Sequence, residues 1–521
     1  MGATASSANA RQPAAKAATP AAPAPQKGAV AAAAGAAAVG RKLPEYSEEE
    51  VAAHKSAESR IWVTYKGGVY DITEFVQSHP GGAAKIMLAA GGSIEPFWGL
   101  YQQHQKGEIR EILEAMRIGS LKGYVEGAPR EYADPFANEP KRHPALVVRS
   151  AKPFNAETPL DILSEHLVTP TDLFYVRHHL PVPLVDEAAF ALQVAGDGVK
   201  SLRLSVPDLQ ARFKHATVVA TVECAGNRRA EMKAIPCPGA SGARIKGLDW
   251  DAGAIGTAVW GGVRLRDVLA EAGLSPDDPA IKHIHFIGLD VDESGVPYMA
   301  SIPVHKAMDP RGDVLLAYEM NGAPIPRDHG GPLRAIVPGV VGARNVKWLA
   351  RVEAAPRESQ GFWQQSDYKA FSPGTDWDNV DWNSAPAIQD MNIVSAICSP
   401  APGTEIGTSE GEITVKGYAW SGGGKAIVRV DVSLDGGASW APAPLTSHPA
   451  NESGRAWAKT LYSLTLPLPE GVAKDGGSLD VVVKATDETY NTQPESAGPV
   501  WNARGVCNNS WHRVAVKVTK D

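Results

Sequence analysis

Thr217-Val218-Val219-Ala220-Thr221-Val222-Glu223-Cys224-Ala225-Gly226-Asn227-Arg228-Arg229 is the stretch on which the reading of this chain turns. Its opening run is rich in β-branched side chains, so Thr217–Glu223 is predicted as a strand. A cysteine follows at once, then small residues, then two arginines. Neighbouring positive charge and turn amides suit a cysteine that serves as a soft-metal ligand or as a nucleophile. The residues alone leave those two roles open. The plain alternative is a small buried core residue, which is the reading for Cys237, Cys398 and Cys507.

Working outward from this strand, residues 146–385 mix helical and strand patterns. Val263–Ala272 has amphipathic helix spacing and is stopped by Gly273. Beyond about residue 386 the texture changes. Ile413-Thr414-Val415-Lys416-Gly417, Ile427–Leu434 and Leu479–Ala485 alternate between apolar and polar residues, punctuated by turns such as Asp435-Gly436-Gly437. That spacing predicts an all-β, immunoglobulin-like sandwich over 386–521. Trp420, Trp440 and Trp457 are read as its core.

Toward the N-terminus, residues 125–145 carry Pro129, Pro135, Pro140 and Pro144 among charged and small residues, the composition of a semi-rigid hinge. Residues 45–124 read as a small α+β unit. Trp62-Val63-Thr64-Tyr65 and Val69-Tyr70-Asp71-Ile72 flank Lys66-Gly67-Gly68 as a hairpin, while Thr73–Val76 and Glu108–Met116 look helical. Residues 1–44 contain no Asp or Glu, only Arg11, Lys16, Lys27, Arg41 and Lys42 among alanines and prolines. This segment is expected to be disordered and to act as an organellar presequence.

The fold class is therefore multidomain α+β, consistent with 521 residues at 44% hydrophobic and 21% charged. A formal charge of −7 lacks the basic field a general nucleic-acid binder needs. Four scattered cysteines without a CxxC pair argue against a disulfide framework and a structural zinc site. No apolar run reaches membrane-spanning length, so no stable membrane span is expected.

A second chemical feature lies in the small N-terminal unit. Ser78-His79-Pro80-Gly81-Gly82 sets a histidine before a turn, and His104 follows after Ile86, Met87, Leu88, Phe97, Trp98 and Leu100. Two imidazoles projecting into an apolar pocket would hold a flat iron macrocycle from both sides. With both axial positions filled, such a centre carries electrons and does no bond chemistry. In this segment Tyr46-Ser47, Trp62-Val63, Val69-Tyr70-Asp71-Ile72-Thr73, His79-Pro80-Gly81-Gly82 and His104 fall in the order of cytochrome b5, which residues 45–124 resemble. The resemblance implies that His79 and His104 are the axial ligands of a haem b.

Arginine-bearing segments recur far apart: Phe174-Tyr175-Val176-Arg177-His178-His179-Leu180-Pro181, Pro332-Leu333-Arg334 and Trp501-Asn502-Ala503-Arg504-Gly505. Guanidinium forks gathered on one pocket favour a small dianion, although spacing alone does not establish convergence. From about residue 146 onward the chain resembles the sulfite oxidase family of molybdenum enzymes. The likeness is carried by Glu223–Arg229, Lys246-Gly247-Leu248-Asp249-Trp250, Val259–Leu269, Leu316–Gly322, Pro326-Arg327-Asp328-His329-Gly330, Pro338–Arg344, Asp367-Tyr368-Lys369 and Trp501–Val506.

The resemblance implies a molybdenum cofactor with a single molybdopterin, Cys224 being the protein's thiolate on molybdenum. Arg177, Arg229, Trp250, Tyr368 and Arg504 match the anion pocket. His329, Arg334, Asn345 and Lys347 match residues that hold the pterin and its phosphate, with Tyr175, His179 and Asp290 contributing. Two departures stand out. Ile235–Gly242 is an extra Pro/Gly-rich loop, and His178 replaces the asparagine more usual after the matching arginine.

The implied activity is oxidation of sulfite to sulfate, with electrons leaving singly through the haem to cytochrome c, in a homodimer joined by the C-terminal sandwich. The implied location is the mitochondrial intermembrane space. An alternative is a nitrate-reductase-like molybdenum enzyme, in which the b5 unit would follow the molybdenum domain; here it comes first. A b5 fusion that carries electrons without molybdenum catalysis is the other alternative, and it leaves Cys224 and the pocket arginines unexplained.

Overall fold

The structure is a computed structural model, and it describes residues 43–79, 83–100, 104, 106–125, 134–237, 244–292 and 295–520. Most of the expected presequence, the first part of the hinge, Pro80–Gly82 and the tip of the extra loop lie outside the described residues.

The N-terminal unit is built on a six-stranded sheet. Arg60–Tyr65 and Gly68–Asp71 form its central hairpin, with Trp62 opposite Asp71 and Tyr65 opposite Gly68. Lys66 and Gly67 both take positive φ, 43° and 74°, which matches the strand twist in a two-residue turn. Helix Glu48–Ala53 starts on a reciprocal capping box between Ser47 and Glu50. Helix Gly107–Glu114 closes the unit and buries Leu113 against Ile61, Val63, Tyr70 and Ile72.

The helix expected over Thr73–Val76 is absent. The Asp71 carboxylate accepts from the Thr73 amide and hydroxyl at 3.1 and 2.6 Å, which turns the chain, and only a 3-10 turn, Val76–Ser78, follows.

The catalytic-size middle region contains two five-stranded sheets and a smaller three-stranded one. In one large sheet, strand His215–Glu223 pairs along its whole length with Ile255–Arg264, which in turn pairs with Leu315–Met320. The predicted strand is thus real and starts two residues earlier. The predicted helix over Val263–Ala272 is shorter, Leu265–Glu271, because Val263 and Arg264 still belong to the strand.

The other large sheet runs Leu202–Leu204, Leu192–Gly196, Leu349–Ala355, His283–Val291, Pro297–Pro303. Both sheets bury branched apolar faces in one core that includes Leu192, Ile255, Ile284, Leu316 and Val352.

The C-terminal region is a sandwich of a four-stranded and a five-stranded sheet. Val415, Val430, Val481, Val483, Val514 and Val516 alternate inward between them. Trp420 and Trp457 are buried as expected. This sandwich is fused to the middle region by buried polar contacts. Arg228 donates to the carbonyls of Ser395 and Ser510 at 3.1 and 2.7 Å, and Trp457 donates to Asp313 at 2.7 Å.

The stretch read as a hinge is fastened down over its second half. Lys152 pairs with Asp134 at 2.7 Å, Glu139 accepts from the Val182 amide at 3.0 Å, and Phe136 is buried. Residues 134–145 therefore behave as an anchor on the middle region rather than as free linker.

Candidate functional site: an imidazole pair and a cationic cleft

In the N-terminal unit the 3-10 turn Val76–Ser78 ends at His79, and His104 precedes helix Gly107–Glu114. Their ring centres lie 6.4 Å apart with planes 14° from parallel. Two metal–imidazole bonds of about 2 Å, extended to the ring centres, span a little over 6 Å. The pair is therefore spaced to hold one iron between them. Trp98 lies parallel to His104 at 5.5 Å, and Ile86, Met87 and Phe97 pack beside it. Burial, reinforced by the neighbouring His79, pushes His104 down to about 4. The His104 ring is thus presented as a neutral donor, the form an iron ligand requires.

The second site is a cleft in the middle region. Its walls come from four places: the segment Phe174–His179, Val222 and Cys224 at the end of strand His215–Glu223, Asp290 and Tyr298, and the segment Asp328–Tyr368. Cys224 sits at the end of the strand, with the Gly226 amide donating to its Sγ at 3.4 Å. The turn is closed by Arg228 in a left-handed conformation, φ 62°, held by its contacts to the sandwich. That costly backbone state sends Arg229 back over the turn. A Cβ on Gly226 would meet the Arg229 guanidinium at 2.4 Å, and one on Gly505 would meet Arg229 Cγ at 2.8 Å. Glycine is required at both places for the guanidinium to lie where it does.

The arginines of the cleft are bonded mostly to carbonyls. Arg229 donates to Gly505 and Leu248 at 2.8 and 3.1 Å, and Arg177 donates to the Asn155 side chain and to the His178 carbonyl. Among the described residues neither has a carboxylate partner, whereas Arg504 pairs with Asp367. Burial and then repulsion from Arg229 and Arg177 push Arg504 down to about 10. A cluster of cations held this way lacks an anion, and a small dianion would complete it.

Arg334, buried, spends two donors on the carbonyls of His329 and Asn345 and, among the described residues, leaves Nε without a hydrogen-bond partner. Asp290 Oδ1, in the same cleft, also has no hydrogen-bond partner among the described residues, and burial raises its carboxyl to about 7. Orphaned buried groups of both kinds in one cleft fit a ligand carrying both phosphate and hydrogen-bond donors. The cleft residues therefore fit a phosphorylated pterin.

Tyr368 Oη lies 2.6 Å from His179 Nε2, and burial raises the phenol above its usual range. His329 Nε2 donates to the Thr171 carbonyl at 3.0 Å, and its burial pushes the imidazole to about 4. Tyr175 lines the cleft with its phenol also raised, first by burial and then by Cys224.

Not every expected residue borders the cleft. Trp250 is fully buried in a cluster with Cys224, so it backs the site. Arg229 and Arg504 do not line the cavity itself. Asn345 borders it, but its amide is occupied with the backbone of Val337 and Val341 at 2.7 and 3.1 Å. Sequence reasoning missed Asp328, Tyr298, Trp348 and Asp367. Asp328 and Asp367 stood inside recognised motifs, next to His329 and Tyr368, and their acidity beside basic residues was the available signal.

Two sites so built define a class: an oxidoreductase that couples a b-type haem module to a molybdopterin cleft. Three family models tile the chain. They are a cytochrome b5-like haem/steroid binding domain over 47–122, an oxidoreductase molybdopterin binding domain over 179–363, and a Mo-co oxidoreductase dimerisation domain over 385–519. Sulfite oxidase from Gallus gallus is 51% identical over 470 residues, covering 90% of this chain and 99% of that one. The mitochondrial sulfite oxidase of Homo sapiens is 50% identical, covering 91% and 84%. Among solved structures, the sulfane dehydrogenase SoxCD from Paracoccus pantotrophus aligns with TM-score 0.55 at 28% identity, over 75% of this chain and 90% of that one. The chain belongs to the sulfite oxidase family.

Proposed function

We propose that this protein oxidises sulfite to sulfate, taking an oxygen from water and releasing two protons and two electrons per turnover. The observation that carries the reading is the set of buried and half-buried guanidiniums near Cys224, of which Arg177 and Arg229 have no carboxylate partner among the described residues. When bound, a molybdenum-oxo centre on Cys224 supplies oxygen transfer, and the haem between His79 and His104 supplies one-electron transfer.

The chain's own residues do the rest. Arg177, Arg229 and Arg504 hold and orient the dianion, and the same charges favour it over neutral ligands. Trp250 closes the back of the site against water. Tyr368, kept protonated by burial, holds a proton at Oη beside His179 Nε2. His329, Arg334, Lys347 and Asp290 are the residues that would seat the pterin and its phosphate, with Tyr175 and His179 beside them.

Cytochrome c is the proposed acceptor. The proposed location is the mitochondrion, specifically its intermembrane space, in keeping with the acid-free N-terminus and the mitochondrial sulfite oxidases among the relatives. The proposed assembly is a homodimer through the dimerisation domain. Proposed boundaries are 45–124 for the haem unit, 146–385 for the catalytic unit and 386–521 for the sandwich.

The test is stoichiometric. Holoenzyme given sulfite and oxidised cytochrome c should form one sulfate for every two cytochromes reduced. Sulfite left unconsumed by molybdenum-loaded protein that turns over nitrate would overturn the reading.

A further inference from the structure

His178 lies where the cofactor cleft meets the anchored segment that follows the hinge. It is only 1% exposed, and both ring nitrogens are engaged. Nε2 lies 2.8 Å from Asp328 Oδ1, and Nδ1 faces the Lys347 ammonium in a short contact. A carboxylate at Nε2 requires the proton there, so Nδ1 is the acceptor and the ring is neutral.

Asp328 is held in turn by Arg142, through Nε at 3.0 Å and Nη2 at 2.8 Å. Arg142 also pairs with Glu139 and stacks over Phe154 at 4.0 Å. A continuous polar chain thus runs from the anchored segment through Asp328 and His178 to Lys347.

Lys347 has three N–H donors. One goes to the Arg177 carbonyl at 2.9 Å and a second to His178 Nδ1, while the stem lies over the Trp348 ring, with Nζ 4.3 Å from its centre. Fixing two donors fixes the direction of the third. A freely rotating ammonium becomes an oriented one. Burial pushes Lys347 down to about 7 against the pull of Asp328.

We propose that His178 is a positioning residue: its Nδ1 fixes the Lys347 ammonium so that the remaining N–H serves the cofactor in the cleft, with Asp328 setting the tautomer and Arg142 holding Asp328. This rests on Lys347 being a pterin-holding residue. Asparagine, the family's more usual residue after the matching arginine, offers an acceptor at nearly the same distance from the backbone as Nδ1. Its side chain is too short to reach Asp328 as Nε2 does. The histidine therefore adds a second connection, toward Arg142, to a contact the shorter residue can make alone.

The experiment measures loss of molybdopterin from purified holoenzyme, as pterin fluorescence released over time against retained haem absorbance. His178→Ala is expected to speed release about tenfold, within the range seen when a residue orienting a cofactor ligand is removed. Lys347→Ala should do the same, and the double variant should be no faster than Lys347→Ala alone. His178→Asn should restore slow release, whereas His178→Gln, which reaches Asp328 but shifts the acceptor, should not.

Failure modes separate. Unchanged release in Lys347→Ala removes the reading on which the proposal rests. Fast release in Lys347→Ala with normal release in His178→Ala overturns the role of His178 alone. So does a double variant faster than Lys347→Ala. If His178→Ala does not fold, the Asn and Gln variants decide: equal release from both contradicts the proposal.

Discussion

The haem unit and the cofactor cleft solve opposite problems with the same residue types. In the first, two imidazoles face each other across 6.4 Å among Ile86, Met87, Phe97 and Trp98. In the second, Arg177, Arg334 and Lys347 line a polar cavity with Asp290 and Asp328, while Arg229 and the Arg504–Asp367 pair lie outside its lining. A centre that only passes electrons needs filled axial positions and a dry, uncharged setting. A centre that binds and releases a dianion needs uncompensated charge and an open face. The difference teaches that charge placement, rather than fold, separates transfer from chemistry within one chain.

Variants can break this division or sharpen it. His104→Ala should abolish electron delivery to a protein acceptor, by on the order of a thousandfold, while sulfite still reduces a small artificial oxidant. Loss of both activities together would show that the two sites are not separable. Next in size is Arg229→Lys, which keeps the charge but leaves empty the flat space beside Gly226 and Gly505. It should cost roughly 10- to 100-fold in kcat/KM for sulfite. An unchanged value would mean that charge alone suffices there.

Tyr368→Phe should lower kcat about tenfold with little change in KM, as expected for a residue that holds a proton rather than the dianion. A rise in KM with kcat intact would reassign the hydroxyl to binding.

The smallest effect concerns stability. His512 is buried and accepts the Ile397 amide on Nδ1 at 3.1 Å, and burial lowers it to about 4. Its unfolded form binds a proton between pH 6.5 and 4 while the folded form does not. Stability should therefore be intact above 6.5 and lost progressively as pH falls toward 4, by at most about 3 kcal/mol. Thermal unfolding of His512→Gln should show a flatter acid limb than the parent; an identical limb would assign acid sensitivity to other buried histidines.

Much of this was legible from residues, for physical reasons. The sandwich strands announce themselves because period-2 alternation is local, and Ile413–Gly417, Ile427–Leu434 and Leu479–Ala485 all lie within or almost wholly within observed strands. The hairpin at Lys66-Gly67 is equally local. Thr73–Val76 misled because the chain makes only a tight turn there, pinned by Asp71 on the Thr73 amide and hydroxyl, before the 3-10 turn Val76–Ser78.

Convergence of Arg177, Arg229 and Arg504 was not legible from spacing at all. Arg229 depends on a left-handed Arg228 held by sandwich carbonyls, and Arg504 arrives from the sandwich itself. Only resemblance to a family anticipated it. Asp328 escaped notice because its partners, Arg142 and His178, are distant in sequence.

The most direct measurement is stopped-flow absorbance of the haem after mixing cofactor-loaded protein with sulfite, in the parent and in Cys224→Ser. The expected result is rapid appearance of the reduced haem spectrum in the parent and none in the variant, although dithionite reduces both. Equal reduction of the haem by sulfite in Cys224→Ser with molybdenum bound would contradict the assignment of chemistry to the cleft.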